Sequence, residues 1–593
     1  MNLALAILSF FAAVFLPGAV LYKIFFKKFH IDFCISSFLA ISFIFSLCFN
    51  FYLVYILVYF GIYTQQVVVG IFAIEILLFL ACFFREITSG IKTPNILKSN
   101  DSALKVLFFL GVLISLYLLA SLLKGQIFTS WDAVASWNRW GIEWARGDFV
   151  LNEGGYPQIY PMLLSLGYVA SAKIASFQAI GVAIYKYFAF VGIIACIFLF
   201  FKDSLKNAIF GFVLSALIWL VFVRLSGEFY IGYVDLPVAM VILIAMLFLT
   251  KASFLLEEAS AGKEIDLGSI NFYLIFGAIA AGISAEIKQA GLFCCVVYLA
   301  GLLYLRFLHP KKVNFKTIVI CFFAILFFCA PWVIIAIYKK LYLNTDATNL
   351  SYTMEAIYDG KGRLERLYIA IKHHKFYTIL FLVSLLALKL KNKILAFLAI
   401  FGFLYFIFWG MNLSYDDRNL QAGLPLMIVA LGAVIVYFVP SIQKIFLNKF
   451  LQLYLFAYKK IALIFVGFVA IGLIVAPFNQ NAVLKSEEKR SAFVDAPFFN
   501  SMVANTFEKK GKKYVIFNNK LLRLKWIDDN YKFYNFLDFS SQDELLEYAN
   551  KLKHKYDGVY VVLAKSELDK YRDFVNMASK IRDSREYSIF EYK

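Results

Sequence analysis

Charge is scarce in this chain. Asp, Glu, Lys and Arg make up only 16% of its 593 residues, against about a quarter in a soluble domain. A free-standing globular protein is therefore excluded. Histidine is rarer still, with five in all, and the eight cysteines form no CxxC pair. All eight (34, 48, 82, 196, 294, 295, 321 and 329) fall in apolar segments. They read as small packing residues, so neither a disulfide framework nor a zinc site is implied. The sequence also lacks internal repeats, low-complexity tracts and, in its polar tail, a Gly-rich phosphate loop.

What fills the chain is hydrophobic side chain, 62% of it, with a mean hydropathy of +0.75. It comes in runs of about 17 to 25 residues, long enough to cross ~30 Å of hydrocarbon. The reading is an all-α polytopic membrane protein with about 14 spans. The first run, Asn2 to Tyr22, has no basic leader and no small-residue cleavage site after it. It reads as a retained span rather than a signal peptide.

The net charge of +19 invites a nucleic-acid partner, but its placement argues for none. From Phe478 onward there are 21 basic and 17 acidic residues, and the other 37 basic residues lie mostly in short loops between apolar runs. That is the positive-inside pattern of an inner-membrane protein. Lys23, Lys27 and Lys28, then Arg85 to Lys105, Arg306 to Lys316, "KLKNK" at 389–393 and Ser441 to Lys460 mark the inner loops. Spans between them run from 2–22 to 460–478, with both termini outside. The run at 34–60 is long enough to be two short spans. One apolar segment breaks the parity: "PQIYPMLLSLGYVASA", Pro157 to Ala172, is short and starts with two prolines. It reads as a half-helix on the outer face. Three regions follow: 1–103, N-terminal spans; 104–478, a catalytic membrane region with an outer loop at 125–179; and 479–593, a soluble domain on the outer face. In that tail "YVIFNN", "GVYVVLA" and "YSIFEY" alternate with helical segments at 541–556 and 565–581. This pattern indicates a small α/β domain with a partly parallel sheet.

The outer loop concentrates polar and aromatic chemistry. "TSWDAVASWNRWGIEWARGDF", Thr129 to Phe149, holds four of the eight tryptophans, including Trp131. At helical spacing Trp137, Trp140 and Trp144 share one face, and Asp132, Ser136, Arg139 and Glu143 the other. An amphipathic helix with indoles at headgroup depth explains this without invoking function. Other outer hairpins carry charge too. "GYVDLP" puts Asp235 at the start of a span, where an N-cap is the ordinary reading. "AEIKQAGLF" puts Lys288 between two spans, where a snorkelling lysine is ordinary. "SYDDRNLQAGLP" puts Asp416, Asp417 and Arg418 in a short turn. Together, carboxylates and cations from four hairpins on one membrane face suit transfer from a lipid phosphate. A carboxylate deprotonates the acceptor hydroxyl, while Lys and Arg stabilise the phosphate leaving group.

In order and spacing these motifs resemble the polytopic GT-C glycosyltransferases, which include protein O-mannosyltransferases and lipid A aminoarabinose transferase. Asp132 stands in the first large outer loop, as the family's acid does. "YPQIYP" (156–161) is similar to its "YPPLYP"-like outer helix, "GYVDLP" (232–237) to "Y-A-D-x-P", "KQAGL" (288–292) to "K-x-E-G-L", and "DRNLQAGLP" (417–425) to "E-R-Y-L-x-P-x-x-P". The resemblance covers roughly residues 104–478. It implies a GT-C-like helical bundle with Asp132 as base and Asp235 as second carboxylate. Lys288 and Arg418 would hold the donor phosphate, with Tyr156, Arg139, Glu143 and Asp417 about the substrates. It implies a polyprenyl-phosphate-linked sugar donor, a glycan, lipid or protein acceptor, and an outer-face site in the inner membrane. The chain departs from the family where Ala133 follows Asp132, in place of an acidic pair, and where Ala290 replaces the motif Glu. No cofactor is certain, although the family leaves room for a divalent metal, and His373–His374 in an outer loop is one place to look for it. Competing readings are a flippase or transporter of a lipid-linked glycan, an O-antigen polymerase or ligase, and a non-catalytic scaffold. A transporter calls for charged residues deep in spans and matched half-repeats, and the sequence is read as lacking both.

Overall fold

A computed structural model describes residues 3–26, 35–88, 110–119, 128, 132–147, 156–171, 174–200, 205–224, 232–342, 361–438, 514–518, 531–535, 541–565, 568–583 and 587–592. Trp131, Cys34, the basic loop at 441–460, the span at 460–478 and residues 479–513 lie outside them. Every expected apolar run up to residue 440 contains a helix. Among the described residues eight helices are long and apolar enough to cross a membrane, or ten if each of two bent pairs is one span. Four shorter apolar helices join them. The chain is a multi-pass membrane protein.

The run at 34–60 is one helix, Ile35–Tyr59, while the first span is one of the two bent pairs. Leu3–Val14 and Leu16–Phe26 meet at 43°, where Pro17 cannot donate a backbone hydrogen bond. In hydrocarbon the freed carbonyls need donors. Asn50 supplies them, its Nδ2 lying 2.9 Å from both Ala12 O and Ala13 O. Gly18 N–H donates to Ser46 Oγ at 3.0 Å. A Cβ on Gly18 would sit 1.7 Å from Ser42 O, so only glycine permits this approach. A second proline, Pro331, lies inside the Phe315–Tyr342 helix. It leaves the Phe327 carbonyl without its usual donor, and Tyr52 O–H donates there at 3.0 Å. The next N–H, of Trp332, donates to Glu286 Oε1 at 2.8 Å.

The half-helix is Ile159–Ser171. It is buried against the ends of its neighbours: Tyr63 O–H and Ser165 Oγ are 2.7 Å apart, and Gln65 Nε2 donates to Ala170 O at 2.9 Å. Tyr63 lies in the turn between the second and third spans and Gln65 opens the third, so the half-helix closes that end of the bundle. The tryptophan segment packs onto it. Here the structure corrects the interfacial-helix reading: Trp137, Trp140 and Trp144 are all buried in protein, and none lies at an open headgroup surface. Trp144 Nε1 donates to Gln158 Oε1 at 3.1 Å, and its ring meets Tyr55 at 5.5 Å. Each large aromatic buries about 150–250 Å², so this trio extends the core of the helical bundle.

In the tail, five strands are ordered β2-β1-β3-β5-β4. β1 (Tyr514–Asn518) runs parallel to β2 (Tyr531–Asn535) and β3 (Gly558–Ala564). β5 (Tyr587–Tyr592) is antiparallel to β3 and to β4 (Ala578–Asp583). Ser541 caps the Gln542–Lys553 helix by accepting from Glu544 N–H at 3.2 Å. This is the S-x-x-E start signal, and Leu545, Ala549 and Leu552 then face the sheet. Among the described residues of the segment expected to be helical over 565–581, the α-helix is confined to Arg572–Asn576. Its last residues form β4, because pairing with β5 outweighs local helix propensity. β2 was not anticipated in the sequence.

Candidate active site

Gly232 opens the "GYVDLP" turn with φ of 100°. A Cβ there would lie 2.4 Å from Phe128 Cδ1 and 2.7 Å from the Ala133 Cβ. This glycine lets the turn pack against the segment that carries Asp132. Asp132 precedes a π-helix, Ala133–Asn138, a form that recurs at functional sites. Its N–H donates to Tyr233 Oη at 3.2 Å.

Asp235 is not the N-cap of its helix. That position belongs to Val234, and Asp235 is the first helical residue. Its buried carboxylate instead accepts from Lys288 Nζ at 2.6 Å, with side-chain exposures of 4% and 16%. Lys288 does not snorkel. It ends the Leu267–Ile287 helix in an extended conformation and turns inward. Gly291 makes the tight turn possible, since a Cβ there would lie 2.1 Å from the Ser284 carbonyl carbon. Burial opposes the Lys288 charge, but the Asp235 carboxylate, helped by Tyr156, holds its pKa above the usual lysine value.

The third component is the turn after the Lys393–Asn412 helix. Asp416 caps a short 3-10 helix, Asp417–Ala422, by accepting from Arg418 N–H at 3.0 Å. It also grips the Arg418 guanidinium: Nε lies 2.8 Å and Nη2 2.5 Å from Asp416 Oδ2. The remaining arm, Nη1, donates to Asp132 Oδ2 at 3.1 Å. The guanidinium carbon stands 4.7 Å over the Tyr233 ring. Burial works against this cation, and the bonds to Asp416 with the charges of Asp235 and Asp132 overcome it, raising its pKa. Asp417 points elsewhere, its Oδ1 3.0 Å from His374 Nδ1. His374 packs edge-on against Trp409 at 5.2 Å, and Trp409 Nε1 donates to Asp416 O at 3.1 Å.

Tyr156 joins the two halves. Burial raises its phenol pKa, and its electrostatic neighbours are Lys288, Tyr415, Asp132 and Asp235. Trp137 and Trp140 wall it in at 5.6 and 6.0 Å. Arg139 and Glu143 pair with one another at 3.7 Å, the glutamate buried. Asp132, Asp235, Lys288, Arg418 and Tyr156 thus gather in one place, while Asp417 is committed to His374. The sequence did not reveal what Tyr233 contacts or the grip of Asp416.

The residues do not fit a metal. Among those described, no three His, Cys, Asp or Glu side chains are grouped to hold one. Asp132 and Asp416 are engaged by Arg418, Asp235 by Lys288 and Asp417 by His374. Two buried carboxylates also correct the reading that spans lack charge. Glu75 lies well inside the Gln65–Thr88 helix, and Glu286 lies near the end of Leu267–Ile287.

No family model matches the chain, and no curated protein matches it in sequence. Solved structures do. ArnT from Cupriavidus metallidurans in its apo state aligns with a TM-score of 0.50 at 12% identity, over 81% of this chain and 97% of that one. The same protein bound to undecaprenyl phosphate aligns with a TM-score of 0.48 at 13% identity over the same shares. The chain has the ArnT fold, a helical membrane bundle followed by a smaller strand-containing region.

Proposed function

We propose that this protein transfers a sugar from a polyprenyl-phosphate donor to an acceptor hydroxyl on the outer face of the inner membrane. The ArnT fold is consistent with a membrane glycosyltransferase. The observation that carries the reading is the convergence of four hairpins on a linked set of ion pairs. Asp132 meets Arg418 at 3.1 Å, and Asp235 meets Lys288 at 2.6 Å. Ionisable groups gathered at membrane depth are costly and mark function.

In this reading Asp132 takes the proton of the acceptor hydroxyl. The acceptor oxygen forms a bond to the anomeric carbon, and the bond from that carbon to the phosphate oxygen breaks. Negative charge grows on the departing polyprenyl phosphate, where Arg418 and Lys288 stabilise it. Asp235 holds the Lys288 ammonium in place and orients the acceptor. Tyr156 lines the space between, with Arg139 and Glu143 behind it. Asp417 acts through His374, bracing the turn that carries Arg418. Residues 104–478 form the catalytic membrane region, 1–103 precede it as extra spans, and 479–593 fold outside the membrane.

Mass spectrometry of cell-envelope glycans from a deletion strain tests this reading. A modification should disappear and return with the wild-type gene. Asp132→Asn keeps the shape but cannot accept the proton, so transfer should fall by about 10²–10⁴-fold at normal protein level. Near-normal transfer by that variant would remove Asp132 as the base. Transfer by purified protein from a nucleotide sugar, with no lipid carrier present, would remove the lipid donor.

A further inference from the structure

Tyr233 touches both the proposed base and the proposed phosphate-binding cation. Its hydroxyl accepts the Asp132 N–H at 3.2 Å, and its ring lies under the Arg418 guanidinium, 4.7 Å from centroid to Cζ. Asp132 and Arg418 in turn meet directly at 3.1 Å. The three residues close a triangle whose corners come from sequence positions more than 100 residues apart.

We propose that Tyr233 is a positioning residue, setting the distance between Asp132 and Arg418; this rests on the roles just assigned to those two. The tyrosine itself is well fixed. It is 5% exposed, and Gly232 before it is wedged against Phe128 and Ala133. Two residues later Asp235 begins a buried helix. Asp132 is less constrained, with a partly exposed side chain and no cap bond of its own. The Tyr233 hydroxyl supplies the acceptor that its backbone N–H needs, and so fixes the Asp132 backbone against a rigid turn. The ring acts on the other partner. A guanidinium over an aromatic face is attracted by the ring quadrupole, which keeps the planar fork level while Nη1 reaches Asp132. When donor phosphate claims Nη1, the ring and Asp416 still hold Arg418, and the hydroxyl still holds Asp132. The base is then free to face the acceptor without drifting from the donor.

The two contacts separate by substitution. Tyr233→Phe keeps the ring and removes the hydroxyl. Tyr233→Leu removes both. Binding is measured with polyprenyl monophosphate lacking a sugar, in detergent, and transfer is measured at matched amounts of folded protein. Tyr233→Phe should bind polyprenyl phosphate as wild type does, while kcat falls about 10- to 100-fold, the scale of a small misplacement of reacting groups. Tyr233→Leu should lose that rate and also bind the phosphate about tenfold more weakly, the scale of a partly desolvated cation–π contact. A merely structural tyrosine would lower both readouts together in both variants, and that result would overturn the inference, as would wild-type kcat in Tyr233→Phe. Failure of the wild-type protein to bind polyprenyl phosphate would instead overturn the donor assignment, and this inference with it.

Discussion

Lys288 Nζ and Asp235 Oδ1 stand 2.6 Å apart across 53 residues of sequence. The pair joins the end of one span to the start of another, and both side chains are largely buried. Burying one charge without the other is far worse than burying both. A lysine that only held substrate would be replaceable without harm to the fold. This one is not.

Lys288→Met should therefore lose stability as well as donor binding. Removing one partner of a buried pair costs about 3–5 kcal/mol, because Asp235 is left charged and unpaired. Adding Asp235→Asn to the same protein should restore most of the thermal stability but no transfer. Melting of the three proteins in detergent checks this. Equal melting temperatures for wild type and Lys288→Met would show that the pair is not closed in the folded state.

What the sequence made legible here was local. Asp235, Lys288 and Arg418 stand out because each sits in a short motif at a turn between apolar runs. Which charge meets which was not legible, since only the folded 3-10 turn brings the Arg418 fork to Asp416 and Asp132. Tyr233 stood in the matched "GYVDLP" motif, but what it contacts comes only from what lies above and beside it. The three tryptophans were read as a face at headgroup depth, but the sequence could not say that protein rather than lipid buries them. In the tail, β4 was missed because pairing with a neighbour strand, not local pattern, decides its state.

The charge on Lys288 sets a pH expectation. Its folded pKa is raised, so the pair contributes fully below the unfolded lysine value of about 10.4. That contribution fades only as pH rises through the higher folded value. The gap in melting temperature between wild type and Lys288→Met should stay constant from about pH 7 to 9.5 and narrow only beyond the ordinary lysine pKa. A gap that closes between about pH 7 and 9 would mean a lowered Lys288 pKa, contrary to the geometry.

The proposed orientation rests on the basic loops. Single cysteines at Lys361 and Ser541, on a background without native cysteines, should react with an impermeant reagent added outside, and one at Lys391 should not. The decisive segment is Lys375–Lys389, ten α-helical residues followed by five in a 3-10 helix. At about 1.5 and 2.0 Å per residue these span roughly 25 Å, enough for a thin crossing. Labelling of Lys391 from outside, with Lys361 also labelled, would show that this segment does not cross.

Glu75 gives the most direct test of the bundle itself. It is 5% exposed, and neither carboxylate oxygen has a hydrogen-bond partner among the described residues. It belongs to the inward stripe of its helix, with Val68 and Phe72 buried above it and Phe79 below, against Phe15 at the break in the first span. An unsatisfied buried polar group costs about 1–3 kcal/mol. Leucine is of similar size, fits an apolar stripe and brings no such penalty. Glu75→Leu should therefore raise the melting temperature in detergent. Glu75→Gln should give less, because the amide leaves polar atoms in the same apolar place. The helix lies well away in sequence from the motifs that carry Asp132 and Lys288, so transfer by Glu75→Leu should match wild type. A fall in melting temperature would mean that Glu75 has a partner within the membrane that stabilises it, and a stable but inactive protein would place this carboxylate in the function of the spans.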